Sequence, residues 1–199
     1  MKIRHDQQKT NQNSDAPLPA LEYKPLHGSH VGAFSCGEHE LDRWFKKRAL
    51  DEHKKYHARV TVATFEGEAN PVAFYALSTR LVNERDLAKN EKNLWGQTYK
   101  KYDQVYICLS LDYLAVAKKY QKQGLGKIIM GRVLDEFVTI AKMSSIQLLT
   151  GRAISRDVFQ FYKNLGFLEY GTDSRQPSMF LAARTVIEMV DQVGELAGN

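Results

Sequence analysis

Apolar and polar positions change period several times along the chain, and each change marks an element. Leu41, Trp44, Phe45, Ala49 and Leu50 recur at helical spacing and define one buried stripe. Arg43, Lys46, Lys47, Lys54 and Lys55 fall on the opposite face, so this helix reads as amphipathic and strongly basic. Ser35-Cys36-Gly37-Glu38 ahead of it has the S-x-x-E form of a capping box. The period then drops to two. Val60, Val62 and Phe65 alternate, residues 66–71 carry turn residues, and residues 72–78 are β-rich, which predicts an antiparallel hairpin. Residues 83–103 are polar, hold Trp95, Lys100 and Lys101, and read as a helix-containing excursion.

Val105 to Leu111 reads as a buried strand that continues through Tyr113 to Val116. Ile128, Ile129, Val133, Leu134, Phe137 and Ile140 or Ala141 mark a second amphipathic helix. Ile146 to Thr150 is a short strand. Ser155 can cap a further helix that carries Val158, Phe159 and Tyr162 and ends at Gly166. Phe167 to Tyr170 and Met179 to Val186 complete the pattern as two strands. The order α, β, β, excursion, β, α, β, α, β, β predicts an α/β or α+β layer fold with helices packed on a mixed sheet.

The length, 199 residues, suits one domain with a proper core. Residues 1–20 are polar, end among Pro17 and Pro19, and read as a disordered arm; residues 21–190 form the domain and 191–199 a tail. No apolar run approaches a membrane span, and no signal-peptide stretch opens the chain, which predicts a cytoplasmic protein. Cys36 and Cys108 show no metal-ligand spacing, and no metal site is expected. They read as reduced, buried thiols, with a disulfide or a catalytic thiol as the alternatives. The formal net charge of +5 suits an anionic partner: a phosphorylated cofactor, an acidic protein or nucleic acid.

The segment Gln121-Lys122-Gln123-Gly124-Leu125-Gly126 sits between a strand and a helix. That order presents free backbone N–H groups and the positive end of a helix dipole to phosphate oxygens. Gly124 and Gly126 remove side chains where backbone must approach a ligand, and Lys122 and Lys127 add positive charge. The Gly-Lys-Ser/Thr ending of a Walker loop is missing, as is the G-x-G-x-x-G of a dinucleotide fold.

On these residues the chain resembles the GNAT acetyltransferases. Their Q/R-x-x-G-x-G/A loop is met by Gln121, Gly124 and Gly126. Leu114-Ala115-Val116 matches the strand that pairs with pantetheine, and Phe161-Tyr162-Lys163-Asn164-Leu165-Gly166-Phe167 matches the F-Y-x-x-x-G-F element. Phe34-Ser35-Cys36-Gly37 and Leu41-Asp42-Arg43-Trp44-Phe45 are similar to the opening of TacT-type GNAT toxins. Ala153-Ile154-Ser155, Pro177, Met179 and Leu181 extend that likeness. Ser35 stands where the family often has Asp, Asp112-Tyr113 where it usually has Gly-Arg, and Val158 where Ala is common.

The resemblance implies acetyl-CoA as donor, held by Leu114, Ala115, Val116, Gln121, Lys122, Gln123, Gly124, Leu125, Gly126, Lys127 and Ser155. It implies transfer to the α-amine of aminoacyl-tRNA, with a small DNA-binding antitoxin and a homodimer as further expectations. The alternative is an acetyltransferase for a protein or small-molecule amine. Tyr162 is the implied general acid for the departing sulfur; core packing is its other reading. An α-amine is partly neutral at pH 7, so a dedicated base is dispensable. His57 and Glu84 read as possible bases or as solvated residues. Arg43, Lys46, Lys47, Arg59 and Arg80 form an expected tRNA-contacting surface, joined by Lys100 and Lys101. A solvated face is the alternative. Arg152 and Arg156 lie near the Tyr162 helix, where they touch RNA or are merely exposed.

Overall fold

The computed structural model describes residues 19–32, 34–87 and 105–188. Residues 1–18 of the expected arm, residues 88–103 of the excursion, with Trp95, Lys100 and Lys101, and the tail at 191–199 lie outside the described residues. Within them, seven strands form one sheet in the order β1-β2-β3-β4-β5-β7-β6. They are β1 (Leu21–Pro25), β2 (Arg59–Phe65), β3 (Ala73–Asn83), β4 (Val105–Val116), β5 (Leu148–Arg152), β6 (Leu168–Tyr170) and β7 (Ser178–Ala182). Neighbours are antiparallel except β4 and β5, which are parallel. Parallel neighbours need a long crossover. The helix spanning Leu125–Met143 supplies it. In chain order the helices are α1 (His39–Lys47), α2 (Ala49–Lys54), α3 (Glu84–Leu87), α4 (Leu125–Met143) and α5 (Arg156–Asn164). The mixed α/β architecture agrees with the expectation.

Alternation along β3 sends side chains to two cores. Phe74 and Ala76 pack with Phe34, Trp44, Phe45 and Ala49 under α1 and α2. Ala73, Tyr75 and Leu77 face Ile129, Val133 and Phe137 of α4, and Tyr162 of α5. The first core is a stack of rings: Phe45 lies 4.3 Å from Phe74, and Phe34 lies 5.1 and 5.0 Å from the two. Each such pair contributes about 0.5–1.5 kcal/mol beyond its buried area. On the second face Tyr75 Oη donates to Glu136 Oε1 at 2.6 Å, which ties α4 to β3.

Several boundaries differ from the sequence reading. β1 was not expected; it is an edge strand whose short run of Leu21 and Tyr23 ends at Pro25. The first helix is two, because the chain leaves helical geometry at Arg48, whose φ is −125°. The capping box does not form: Glu38 makes no side-chain cap, and Asp42, one turn inside α1, gathers the loop instead. Its carboxylate accepts from Ser35 Oγ (2.6 Å), Cys36 N (2.7 Å), Cys36 Sγ (3.1 Å) and Gly37 N (3.3 Å). Ile128 of the predicted α4 stripe is exposed, and Leu125 and Met130 are buried in its place. The last predicted strand stops at Ala182, and residues 183–188 are helical. Cys36 and Cys108 are both free and buried, as reduced thiols.

Candidate active site

The sheet is split at its centre. β4 and β5 pair from Cys108↔Leu148 to Leu111↔Gly151 and no further. β4 continues to Val116, so no described strand pairs with its β5-side edge over Tyr113–Val116. The split coincides with a bulge. Ala76 pairs with Tyr113 but Leu77 pairs with Leu111, which leaves Asp112 as the extra residue. A cleft of about 960 Å³ opens there, lined by residues of both sheet faces, from Trp44 and Arg80 to Met130 and Tyr162. Its lining includes residues of α1 and α2, and the Trp44 and Tyr113 rings in it lie 4.0 Å apart.

The segment expected to act as a cradle does lie between β4 and α4. Lys122 (φ 61°) and Gly124 (φ 84°) both adopt the left-handed conformation, which turns the chain into α4 with Gly124 as its N-cap. Lys127 N and Ile128 N close on the Gly124 carbonyl (3.0 and 3.4 Å). The earlier N–H groups, those of Leu125 and Gly126, have no acceptor within the helix. A Cβ on Gly124 would meet nothing within 4 Å, so the space over the turn is open. Lys122, Gln123 and Lys127 are exposed around it. Free N–H groups, open space and lysines fit a pyrophosphate, and the unpaired β4 edge at Leu114, Ala115 and Val116 fits an amide-bearing pantetheine arm.

Gln121 departs from the expected contact set. Its Nε2 donates to the carbonyls of Val116 (2.9 Å) and Cys36 (2.8 Å). It therefore braces the cradle against the end of β4 and the loop before α1. Gln123 Nε2 donates to Lys119 O at 3.0 Å. Ser155 caps α5, its Oγ accepting from Val158 N at 3.3 Å.

Tyr162 stands on α5 with 5% of its surface exposed, packed 4.8 Å from Phe167 and lining the cleft. Its hydroxyl lies over Gly151, at the point where β4 and β5 part. Burial pushes its pKa up to about 12, so the phenol keeps its proton at any physiological pH. A phenol positioned this way can donate a proton into the cleft.

Of the expected nucleic-acid surface, Arg43, Lys47 and Arg80 line the cleft, as does Arg152. Lys46 and Arg59 do not; Arg59 lies over the Tyr56 ring, 5.1 Å from its centroid. Arg43 pairs with Glu40, and Arg80 with Asp112 (2.9 Å), so the surface is less freely cationic than the sequence suggests. Arg156 is exposed at the start of α5. His57 is exposed and away from the lining, and the Glu84 side chain lies outside the description. Arg48, Glu52 and Gly151, which the sequence did not single out, line the cleft, as does Asp112, noted there only as a departure from the family pattern. A charged residue interrupting the apolar run of β4 was the available signal for Asp112, and a glycine inside a strand was the signal for Gly151.

Comparison with known proteins agrees with this geometry. Residues 29–167 match the acetyltransferase (GNAT) family, and the chain belongs to that family. A tRNA-acetylating toxin of Mycobacterium tuberculosis is 28% identical over 143 residues, covering 72% of this chain and 81% of the relative. A mutant of KacT superposes with a TM-score of 0.74 at 21% identity, over 85% of this chain and 98% of that one. AtaT complexed with acetyl-methionyl-tRNAfMet superposes with a TM-score of 0.72 at 18% identity, over 86% and 99%. The protein is thus an acyltransferase, and its acetyl donor is acetyl-CoA. No described helix is long and apolar enough to cross a membrane.

Proposed function

We propose that the protein acetylates the α-amine of aminoacyl-tRNA and so blocks translation, as the toxin of a toxin–antitoxin pair. The observation that carries this reading is the cleft: its lining brings Tyr162 together with the exposed Arg43, Lys47 and Arg152. That arrangement suits an acceptor with a reactive amine at one end and phosphates behind it. The 28% identical tRNA-acetylating toxin supports the same acceptor.

Acetyl-CoA supplies a thioester-activated acetyl group. The N–H groups of Leu125, Gly126 and the Gly124 turn, with Lys122 and Lys127, hold its pyrophosphate. Leu114, Ala115 and Val116 present backbone N–H and C=O groups to its arm, and an N–H of this edge stabilises charge on the acetyl oxygen. Tyr162 gives its Oη proton to the departing sulfur. Gln121 and Ser155 act by holding the loop and α5 in place. Charged tRNA confines the reaction to the cytoplasm. A small DNA-binding antitoxin and a homodimer complete the reading.

The test is radiolabelled acetyl-CoA with charged tRNA, uncharged tRNA and a polyamine panel. Label on charged tRNA alone, at a rate that falls steeply with added salt, is the expected outcome. Label on the small amines alone would replace this reading with a small-molecule acetyltransferase.

A further inference from the structure

Among the described residues, four acids line the cleft: Glu38, Glu40, Glu52 and Asp112. They differ in how much of their hydrogen-bonding capacity is already used. Glu38 and Glu40 are exposed at the rim, and Glu40 is paired with Arg43. Glu52 has both oxygens engaged, Oε1 with Arg48 at 2.8 Å and Oε2 with Trp44 Nε1 at 3.2 Å. Asp112 is held on one side only. Its Oδ1 accepts from Arg80 Nη2 (2.9 Å), Arg80 Nε (3.2 Å) and Ser110 Oγ (2.8 Å). Its Oδ2 receives no hydrogen bond among the described residues, although the side chain is only 13% exposed. A carboxylate offers about four acceptor sites, so Oδ2 is open to a further donor from the cleft.

The bulge gives this half-used carboxylate its place. Asp112 follows directly on the Leu111↔Gly151 pair, and the Tyr162 hydroxyl lies over Gly151. The extra residue therefore stands at the fork that also holds the candidate proton donor.

We infer that Asp112 recognises the acceptor: its Oδ2 accepts a hydrogen bond from the N–H of the amine to be acetylated, with Arg80 as the positioning residue on Oδ1. The inference rests on reading the site as an amine acetyltransferase and names the group that selects the amine. Arg80 has a second consequence. A lone carboxylate would favour the ammonium form, which has no lone pair for attack. The guanidinium on the other oxygen offsets that charge, so the amine is held by a hydrogen bond without being kept protonated.

The experiment compares an aminoacyl-tRNA with the tRNA carrying the desamino acyl group of the same side chain, used as a competitive inhibitor. Wild type should bind the amine-bearing form more tightly, and Asp112→Ala should bring the two together. KM for the acceptor should rise about 10- to 100-fold, as for loss of a charged hydrogen bond, with the acetyl-CoA Kd unchanged. Asp112→Asn, close in shape, provides the same comparison if the alanine variant fails to fold. Arg80→Met should move the kcat–pH profile to higher pH, and Arg80→Lys should restore it. Retention of the wild-type preference in both Asp112 variants would overturn the inference, as would a parallel loss of acetyl-CoA affinity. If wild type labels no charged tRNA, the tRNA reading fails separately. The same comparison then uses the amine that is labelled and its desamino analogue.

Discussion

The Tyr162 hydroxyl occupies the space that a side chain on Gly151 would need: a Cβ built there falls 2.7 Å from Oη and 3.0 Å from Cζ. Cζ is part of a ring packed against Phe167 in the core and Oη is fixed to it, so the phenol has little room to yield. Gly151→Ala should therefore displace the phenol and copy Tyr162→Phe. We expect each variant to fold, to bind acetyl-CoA like wild type, and to lose about 10²- to 10⁴-fold in kcat, the range for removing a general acid. Steady-state kinetics beside calorimetric acetyl-CoA titration checks this. Wild-type turnover in Tyr162→Phe would remove the general-acid role.

Alkaline stability follows from the same burial. Desolvation raises Tyr162 from 10.0 to about 12, Cys36 from 9.0 to about 11 and Cys108 from 9.0 to about 12. Between those values the folded chain holds protons that the unfolded chain releases. The stabilisation is complete below about pH 9 and is lost as pH rises through the folded values. Melting temperature should fall steadily above about pH 9. The decline should be shallower in a Cys36→Ala, Tyr162→Phe double variant; an unchanged slope would contradict the assignment.

Asp42 has the opposite sign. Burial alone would raise its pKa, but hydrogen bonds from Ser35, Cys36 and Gly37 outweigh it and hold the carboxyl below its ordinary value. Its contribution is present above about pH 4 and is lost as pH falls further, through the depressed value. Asp42→Ala removes four hydrogen bonds at once and should cost about 1–3 kcal/mol. Urea denaturation at neutral pH measures this, and the gap between variant and wild type should narrow in acid.

Gln121 joins three segments that are distant in sequence: the cradle, the end of β4 and the loop before α1. Gln121→Met keeps the length and deletes both donors. It should raise the acetyl-CoA Kd and the acceptor KM together, whereas Lys122→Ala should raise the Kd alone. Equal acceptor KM values in wild type and Gln121→Met would leave Gln121 as a local loop residue.

The cradle and the Tyr162 helix were legible in the sequence because each is local. Gly124 precedes a long helical stripe, and Ser155 and Gly166 bracket a short one. Features set by tertiary partners were not. β1 shows only Leu21 and Tyr23 as apolar strand positions because it is an edge strand. The break at Arg48 is invisible to periodicity, since Trp44, Phe45 and Ala49 are buried on either reading. Ser35-x-x-Glu38 looked like a capping box, yet the Ser35 hydroxyl and the Cys36 and Gly37 N–H groups go to the Asp42 carboxylate instead. The bulge at Asp112 depends on the register between β3 and β4, which no single strand reveals. Arg43 and Arg80 stand out as cations in the sequence, but their pairing with Glu40 and Asp112 exists only in three dimensions.

The single parallel join in the sheet also orders events during synthesis. Strands β1 to β4 are antiparallel neighbours in sequence order, and Asp112, Arg80 and the Trp44–Tyr113 wall all lie in that part. Gly151 and Tyr162 arrive only after α4 has crossed over, and β5 then depends on β7 for its other edge. A nascent chain thus contains the residues of this wall before it contains the phenol. Catalytic competence is deferred until β5, α5 and β7 have all been made.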